Sequence, residues 1–526
     1  MKKKIGLSFL VLLAVVVAVT GFSNVGQNAY KNIVKLNTVL DLISRTYVEE
    51  VDGDKLVDDA IVGVLKSLDP HSVYIPPKEL KQVKEEFKGN FEGIGSQIDV
   101  INGQLTIVTP IPGSPSEKIG IQGGDKVMMI NNVSTKGITT DEAVSKLRGP
   151  KGTVVHISIQ RAGMEELLEF DIIRDKIPVY SVDSKFMLDD KTGYIRFVRF
   201  AETTSDEIEQ ALTELEGKGM KQLILDMRNN GGGILEEAKM IVDKFIPGGK
   251  MIVYMKGRIP GSTQEFYSTD KKSYRDYPVV VLINRGSASA SEIVAGAIQD
   301  LDRGLVVGER SFGKGLVQNQ FDLNDGSAVR ITIARYYTPS GRLIQRPYDH
   351  KSLEDYYGEA RVNDTLQTDT SKVFYTSIGR KVYGGGGIVP DYKITDNDTV
   401  TAYYIKLWGK GVFREFTNNY LEKNGPKLRD EYKSKFAQFS KSFDFTDSDV
   451  QEIINIGVQK GIPVDQNSAD TDKELMKNLV KAEVARYIWT SFEASQIRFQ
   501  NDPALKQAMT YFPLAKKFTD TRTKSK

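Results

Sequence analysis

YPVVVLINRGSASASEIVAGAIQDL, residues 277–301, changes character twice along its length. PVVVLI has the β-branched composition of a buried strand, NRGS is turn material, and ASEIVAGAIQDL carries a helical pattern. Ser287, Ser289 and Ser291 therefore fall on a strand–turn–helix corner, and in an α/β sheet such a corner exposes side chains at the carboxyl ends of the strands, where ligands bind. Ser289 with Glu292 also fits a capping box. Two readings stand at this point: one serine is a nucleophile, or the serines only start a helix.

The same alternation extends outward from this corner over residues 179–398. GYIRFVRF is followed by a helix from Ser205, KQLILDM by a helix from Ile234, and YPVVVLI by a helix near Ser289, which predicts an α/β core. Upstream, residues 89–178 read as a small β domain of short alternating strands. TVVHISIQR sets Val155, Ile157 and Ile159 on one face and His156 and Ser158 on the other, and Thr139 with Glu142 caps one short helix. Residues 25–88 read as helical, with Leu36, Val39, Leu40 and Ile43 at spacings of three and four until SLDPHSVYIPP breaks the pattern. Residues 399–526 return to helices. There Thr471 and Glu474 read as a capping box opening a segment whose Leu475, Leu479, Ala482, Ala485 and Trp489 share a stripe, expected to be core or docking surface.

A chain of 526 residues with 40% hydrophobic content is long enough for several cores. Its 71 Lys and Arg against 69 Asp and Glu give a formal +2, which removes any global electrostatic case for nucleic acid. With no cysteine, a disulfide, a thiolate zinc site and a cysteine nucleophile are all excluded. Lys2, Lys3 and Lys4 precede an uncharged apolar run over residues 5–22, the pattern of an export signal. Residues 1–24 are therefore expected to be a signal peptide or a retained membrane anchor, placing the protein in the periplasm or on the outer face of the cytoplasmic membrane.

A serine nucleophile needs a base. His71 lies in the proline-broken stretch, His156 on a strand of the small β region and His350 in a polar loop, so a Ser–His triad is not expected. Lysine remains: GERSFGKGLVQNQF sets Lys314 in a Gly-rich turn after the strand GLVVG, with Gln318 four residues on, able to hold an amine without adding charge. To accept the serine proton near neutrality the lysine pKa must fall from about 10.4 to about 7–8, which burial beside Phe312 could supply. LILDMRNNGGG ends a strand and turns through Gly231, Gly232 and Gly233 into a helix, so its N–H groups could face an oxyanion; no Lys-Ser or Lys-Thr closes it as a phosphate loop would require.

Together these blocks resemble the carboxy-terminal processing (tail-specific) protease family, serine peptidases with a Ser–Lys pair and an embedded PDZ domain. The resemblance runs from about residue 36 to 395 through SLDPHSVYIPP, FEGIGSQI, GSPSEKIGIQGGDKVMMINN, LRGPKGT, GYIRFVRF, LDMRNNGGG, GSASASEIVAGAIQD, SFGKGLVQ, ARYYTPSGRLIQ and GGGGIVPDY. It implies a PDZ domain at 89–178 and a protease core at 179–398, with Ser289 as nucleophile, Lys314 as base and Gln318 as the lysine-orienting residue. Gly232 or Gly233 and Ala290 would form the oxyanion hole. An aspartate at the position of Asp300 is implicated in some members; here it is read as structural. Gly93, Ile94, Gly95 and Ser96 would turn their amides to a substrate's terminal carboxylate while QIDV pairs with its tail. No metal or cofactor is implied. The expected partners are protein substrates with accessible C-termini, with an adaptor or a homo-oligomer through the C-terminal helices and the membrane through an uncleaved N-terminus as further candidates. The rival reading is a catalytically silent PDZ adaptor that presents tails to another protease.

Overall fold

The computed structural model describes residues 30–524 apart from 102, 270–273, 349–350, 352, 363–371 and 395–399. The apolar run at 5–22 and His350 lie outside the described residues. Among those described, no helix is long and apolar enough to cross a membrane. The chain divides into two compact units, residues 1–77 with 318–332 and residues 78–317 with 333–526.

In the first unit, helices over residues 30–46 and Gly53–Lys66 precede a short strand, Val73–Ile75. Asp52 caps the second helix by accepting the amides of Asp54 and Lys55. The strand pairs antiparallel with the returning segment, Val73 opposite Arg330 and Ile75 opposite Ala328. The turn before it is held by Asp69, which accepts the amides of His71 and Ser72 at 2.9 Å each.

The second unit holds the small β domain, the α/β core and the C-terminal helices. In the small domain the strands run in the order Ser96–Ile101, Gln104–Pro110, Lys126–Ile130, Val154–Gln160 and Leu168–Ile173. Val155, Ile157 and Ile159 are fully buried, as the alternation requires, and the helix Thr140–Leu147 carries the expected Thr139–Glu142 capping box.

The core sheet runs Val182–Met187, Thr192–Phe197, Gln222–Asp226, Val279–Ile283, Leu305–Gly308 and Tyr392–Lys393, with the first pair antiparallel and the rest parallel. Its central strand Val279–Ile283 is buried on both faces, which explains the uninterrupted apolar run. Val279, Val281 and Ile283 face one cluster shared with the helices Thr204–Gly217, Leu235–Asp243 and Ala290–Asp300. Val280 and Leu282 face another, completed by Leu505, Ala508, Phe512 and Ala515.

Those last four residues belong to the segment read as a separate C-terminal helical region. That region has two parts: residues from Tyr403 to Ile497 enclose a core of their own, while the helices Pro503–Met509 and Phe512–Lys524 cover the second face of the protease sheet. The boundary at 399 separates compositions and not cores. Arg429 also joins this region to the small β domain, donating to Gln122 and to the carbonyls of Gly123 and Tyr487 at 2.8–2.9 Å. One expected helix start is corrected. The helix runs Gln466–Ile488 and is capped by Asp465, so Thr471 lies inside it and bonds to the carbonyl of Asn467. Asp465 carries an equally good capping carboxylate one turn and a half earlier, and the backbone used that first. Ala482 and Ala485 of the apolar stripe are buried and Trp489 packs on Phe436 and Phe439, so the stripe is core.

Candidate active site

The three serines of the corner are not equivalent. Ser287 is fully buried and its hydroxyl donates to the carbonyl of Met227 at 2.7 Å; Ser291, also fully buried, donates to the carbonyl of Asn230 at 2.8 Å. The outer two fasten the corner to the Gly-rich turn beside it. Ser289 between them is half-buried and adopts φ 55°, ψ −114°. The other non-glycine residues with positive φ among those described are Asn131, Asn132, Asn229 and Asp302, types that tolerate this region; a serine does not, and the strain costs on the order of 1–3 kcal/mol. The capping partner is present too: the Glu292 carboxylate accepts the Ser289 amide at 2.8 Å.

Glu292 does more than cap. It is fully buried, and besides Ser289 it accepts the amides of Gly313 at 2.7 Å and Lys314 at 2.8 Å and the hydroxyl of Ser311. Burial pushes its carboxyl up to about 7, an effect the four donors partly offset. On the carbonyl side, the buried Tyr336 hydroxyl lies 3.0 Å from the carbonyl of Ser289 and 2.5 Å from that of Lys314, and its single hydrogen serves both. The peptide groups of Ser289 and Lys314 are thus held by the same carboxylate and the same phenol. Sequence reading found Glu292 only as a cap and passed over Tyr336 within ARYYTPSGRLIQ; the pairing of Met255 with Tyr336 across the sheet sets its position and leaves no local signal.

Gly232 stands directly against the corner. With φ 95° and a position where a Cβ would lie 2.7 Å from the Ala288 oxygen and 2.8 Å from the Ala290 nitrogen, only glycine fits. Its own N–H donates to the Asn230 side chain at 3.0 Å. Neighbouring Phe200 bonds to the Gly232 carbonyl and accepts from Ile234, which leaves the Gly233 N–H outside that bridge. Ala290 opens its helix, where an N–H has no intrahelical acceptor.

Asp300 ends the same helix that Ser289 begins, about 16 Å away at 1.5 Å per residue. Buried, it pairs with Arg342 and accepts the amide and hydroxyl of Ser340 at 3.0 and 2.7 Å. It braces the fold and lies a helix length from the corner. Gln318 opens the returning segment of the first unit, and there its side-chain amide donates to the carbonyl of His71. His156 sits on the small β domain between Glu169 and Asp171, and hydrogen bonding to Asp171 raises its pKa. Among the described residues no group of three or more His, Asp or Glu is placed to hold a metal ion.

In the small β domain, Gly93 ends a strand opposite Asp175, Ile94 points into the core, and Gly95 takes φ 80° where a Cβ would lie 2.2 Å from Ser114 Cβ. The Ile94 and Gly95 carbonyls are turned inward, accepting the hydroxyls of Ser116 and Ser114 at 2.8 Å each. Ser96 then begins Ser96–Ile101, which pairs with Gln104–Pro110 on one side and stands at the sheet edge among the described residues.

A parallel-sheet core carrying a strained serine, joined to a PDZ-type β domain, defines a serine peptidase of modular build. Residues 191–350 match the model of Peptidase family S41, 106–161 a PDZ domain, 17–78 the "Activating protease CtpB N-terminal domain", and 403–490 a family of unknown function. The chain is 39% identical over 372 residues to the carboxy-terminal processing protease CtpA of Bacillus subtilis (strain 168), covering 68% of this chain and 79% of that one. It is 38% identical over 341 residues to the carboxy-terminal-processing protease of Bartonella bacilliformis, covering 64% and 78%. A solved structure, the photosystem II D1 C-terminal processing protease, aligns at 30% identity with a TM-score of 0.33 over 58% of this chain and 88% of that one. The chain belongs to the carboxy-terminal processing protease family, and its PDZ domain implies protein substrates with C-termini.

Proposed function

We propose that the protein is an endopeptidase of the bacterial cell envelope that recognises substrate C-termini through its PDZ domain and cleaves with a Ser289–Lys314 pair. The observation that carries this reading is the shared bracket: Glu292 and Tyr336 each bond to the peptide groups of both residues. The neutral amine of Lys314 accepts the Ser289 hydroxyl proton as the oxygen attacks the peptide carbonyl. The amides of Gly233 and Ala290 stabilise the oxyanion. The tetrahedral intermediate expels the amine, which takes the proton back from Lys314, and a water activated by the same lysine then releases the acid and restores the serine. The family resemblance gives Gln318 the orienting role toward the lysine. Substrate tails add to the edge strand Ser96–Ile101, with the Gly93–Ser96 loop at the terminal carboxylate. The charged start and apolar run at residues 2–22 support export.

The test is degradation of an unfolded protein by the soluble region beside Ser289→Ala and Lys314→Ala variants verified as folded. Loss of cleavage in both supports the Ser–Lys pair. Inactive wild type that still binds tails would favour the silent adaptor. Equal rates on free and amidated C-termini would remove tail recognition from the reading.

A further inference from the structure

The Gly-rich turn is anchored at its start as well as against the serine corner. Asp226 ends its strand fully buried and accepts the Tyr194 hydroxyl at 2.9 Å, the Arg228 amide at 2.9 Å and the Arg228 guanidinium at 2.7–3.1 Å. Burial, the largest single effect, would raise this carboxyl; the charge and hydrogen bonds of Arg228 together with the charge of Arg196 outweigh it and hold the group below its ordinary value. Arg228 sits near the start of the turn, and the carbonyls of Met227 before it and Asn230 after it receive the Ser287 and Ser291 hydroxyls and the Ala288 amide. Its guanidinium therefore fixes the segment that the corner leans on.

That guanidinium has a second partner from far along the chain. Arg228 Nη2 donates to Asp502 Oδ2 at 2.6 Å, both side chains only 10% exposed. The other oxygen of Asp502 caps the helix Pro503–Met509, accepting the Ala504 amide at 2.7 Å. That helix is locked onto the protease sheet through Ala504, Leu505 and Ala508. Asp502 is thus a rigid post, tied by one oxygen to a packed helix and by the other to the turn.

We infer that Asp502 is a positioning residue for the oxyanion turn, acting through Arg228, so that the C-terminal helices help set catalytic geometry. The inference rests on the reading that Gly233 and Ala290 bind the oxyanion. Two carboxylates hold the planar fork, Asp226 through Nε and Nη2 and Asp502 through Nη2; without Asp502 the C-terminal tether is lost and the turn from Met227 to Gly233 gains freedom relative to Ser289.

The experiment uses the full soluble chain with Asp502→Asn, which keeps a capping side chain, and Asp502→Ala. Hydrogen exchange at residues 227–233 is expected to rise at least fivefold in both, with exchange across 90–178 unchanged. On a peptide substrate, kcat per titrated active site is expected to fall about tenfold with KM within twofold, and affinity for a peptide aldehyde to fall in the same proportion. Double substitution with Arg228→Lys is expected to be non-additive. Unchanged exchange at 227–233 would overturn the inference whether or not the wild type cleaves. Raised exchange with unchanged kcat and aldehyde affinity would also overturn it, leaving a structural contact. Failure of the peptidase reading is distinct: it appears as wild-type inactivity and no aldehyde binding, while the exchange result still decides whether Asp502 holds the turn.

Discussion

The Glu292 carboxylate accepts the backbone N–H of Lys314 at 2.8 Å, although one residue sits in the first turn of the helix Ala290–Asp300 and the other in a separate loop. The same oxygen accepts the amide of Ser289. One buried side chain thereby sets the separation of Ser289 and Lys314, the proposed nucleophile and base, before a substrate arrives. Glu292→Gln offers a single acceptor oxygen to four donors, leaving at least two unmet at about 1–3 kcal/mol each. Cleavage should fall by at least a hundredfold and the melting temperature should drop, measured by turnover of a peptide and by calorimetry.

The same burial gives stability a pH dependence of definite sign. With its pKa raised from 4.5 to about 7, Glu292 keeps a proton in the native state that the unfolded chain releases. Its contribution is fully present below the unfolded value and is lost as pH rises through the folded one. Between pH 4.5 and 7 the melting temperature of the wild type should therefore fall relative to that of Glu292→Gln, with the difference constant above. A difference that does not change over this window would show that the carboxyl titrates normally.

Tyr336→Phe removes one hydroxyl hydrogen that serves two carbonyls. The expected loss is about 1 kcal/mol of stability and roughly tenfold in kcat, with KM nearly unchanged because no substrate contact is removed. Steady-state kinetics on a peptide with a free C-terminus checks it.

Gly232→Ala should abolish cleavage while leaving tail binding intact. The added methyl meets backbone atoms at 2.7–2.8 Å, and backbone cannot swing aside. Fluorescence-polarisation binding of a tail peptide, compared with its turnover, separates the two effects.

Leu505→Ala should cost about 2–5 kcal/mol, as a core truncation does, although it lies in the C-terminal helices. Deleting residues 399–526 should yield an aggregating protein and not a smaller enzyme, because Tyr194, Ile224, Val280 and Leu282 lose their cover. Chemical denaturation of the point variant and size-exclusion chromatography of the deletion read the two outcomes. A change of size on deletion would therefore say nothing about dimerisation.

What could be read from sequence were features with a local period or a local steric demand. The run PVVVLI, the alternation of Val155, Ile157 and Ile159, and the box at Thr139 and Glu142 each declare their element within a few residues. The inequality of Ser287, Ser289 and Ser291 could not be derived from their even spacing, since what separates them is which carbonyl lies opposite. Glu292 was visible as a cap because Ser289 is three residues away, and invisible as an anchor because Ser311, Gly313 and Lys314 arrive from another turn. Residues 503–524 showed helical pattern but not destination; a stripe records that a face is covered, never by what.

The covered second face of the sheet sets an order of events in synthesis. Val280 and Leu282 leave the ribosome long before Leu505 and Phe512, the residues that bury them. Through that interval one face of the central strand is exposed apolar surface, a target for holding factors and for aggregation. A chain interrupted near residue 490 would carry its serine corner and its lysine turn and still present an open sheet. Such a fragment would look to quality control like a misfolded protein, because the helices that cover the sheet are made after it.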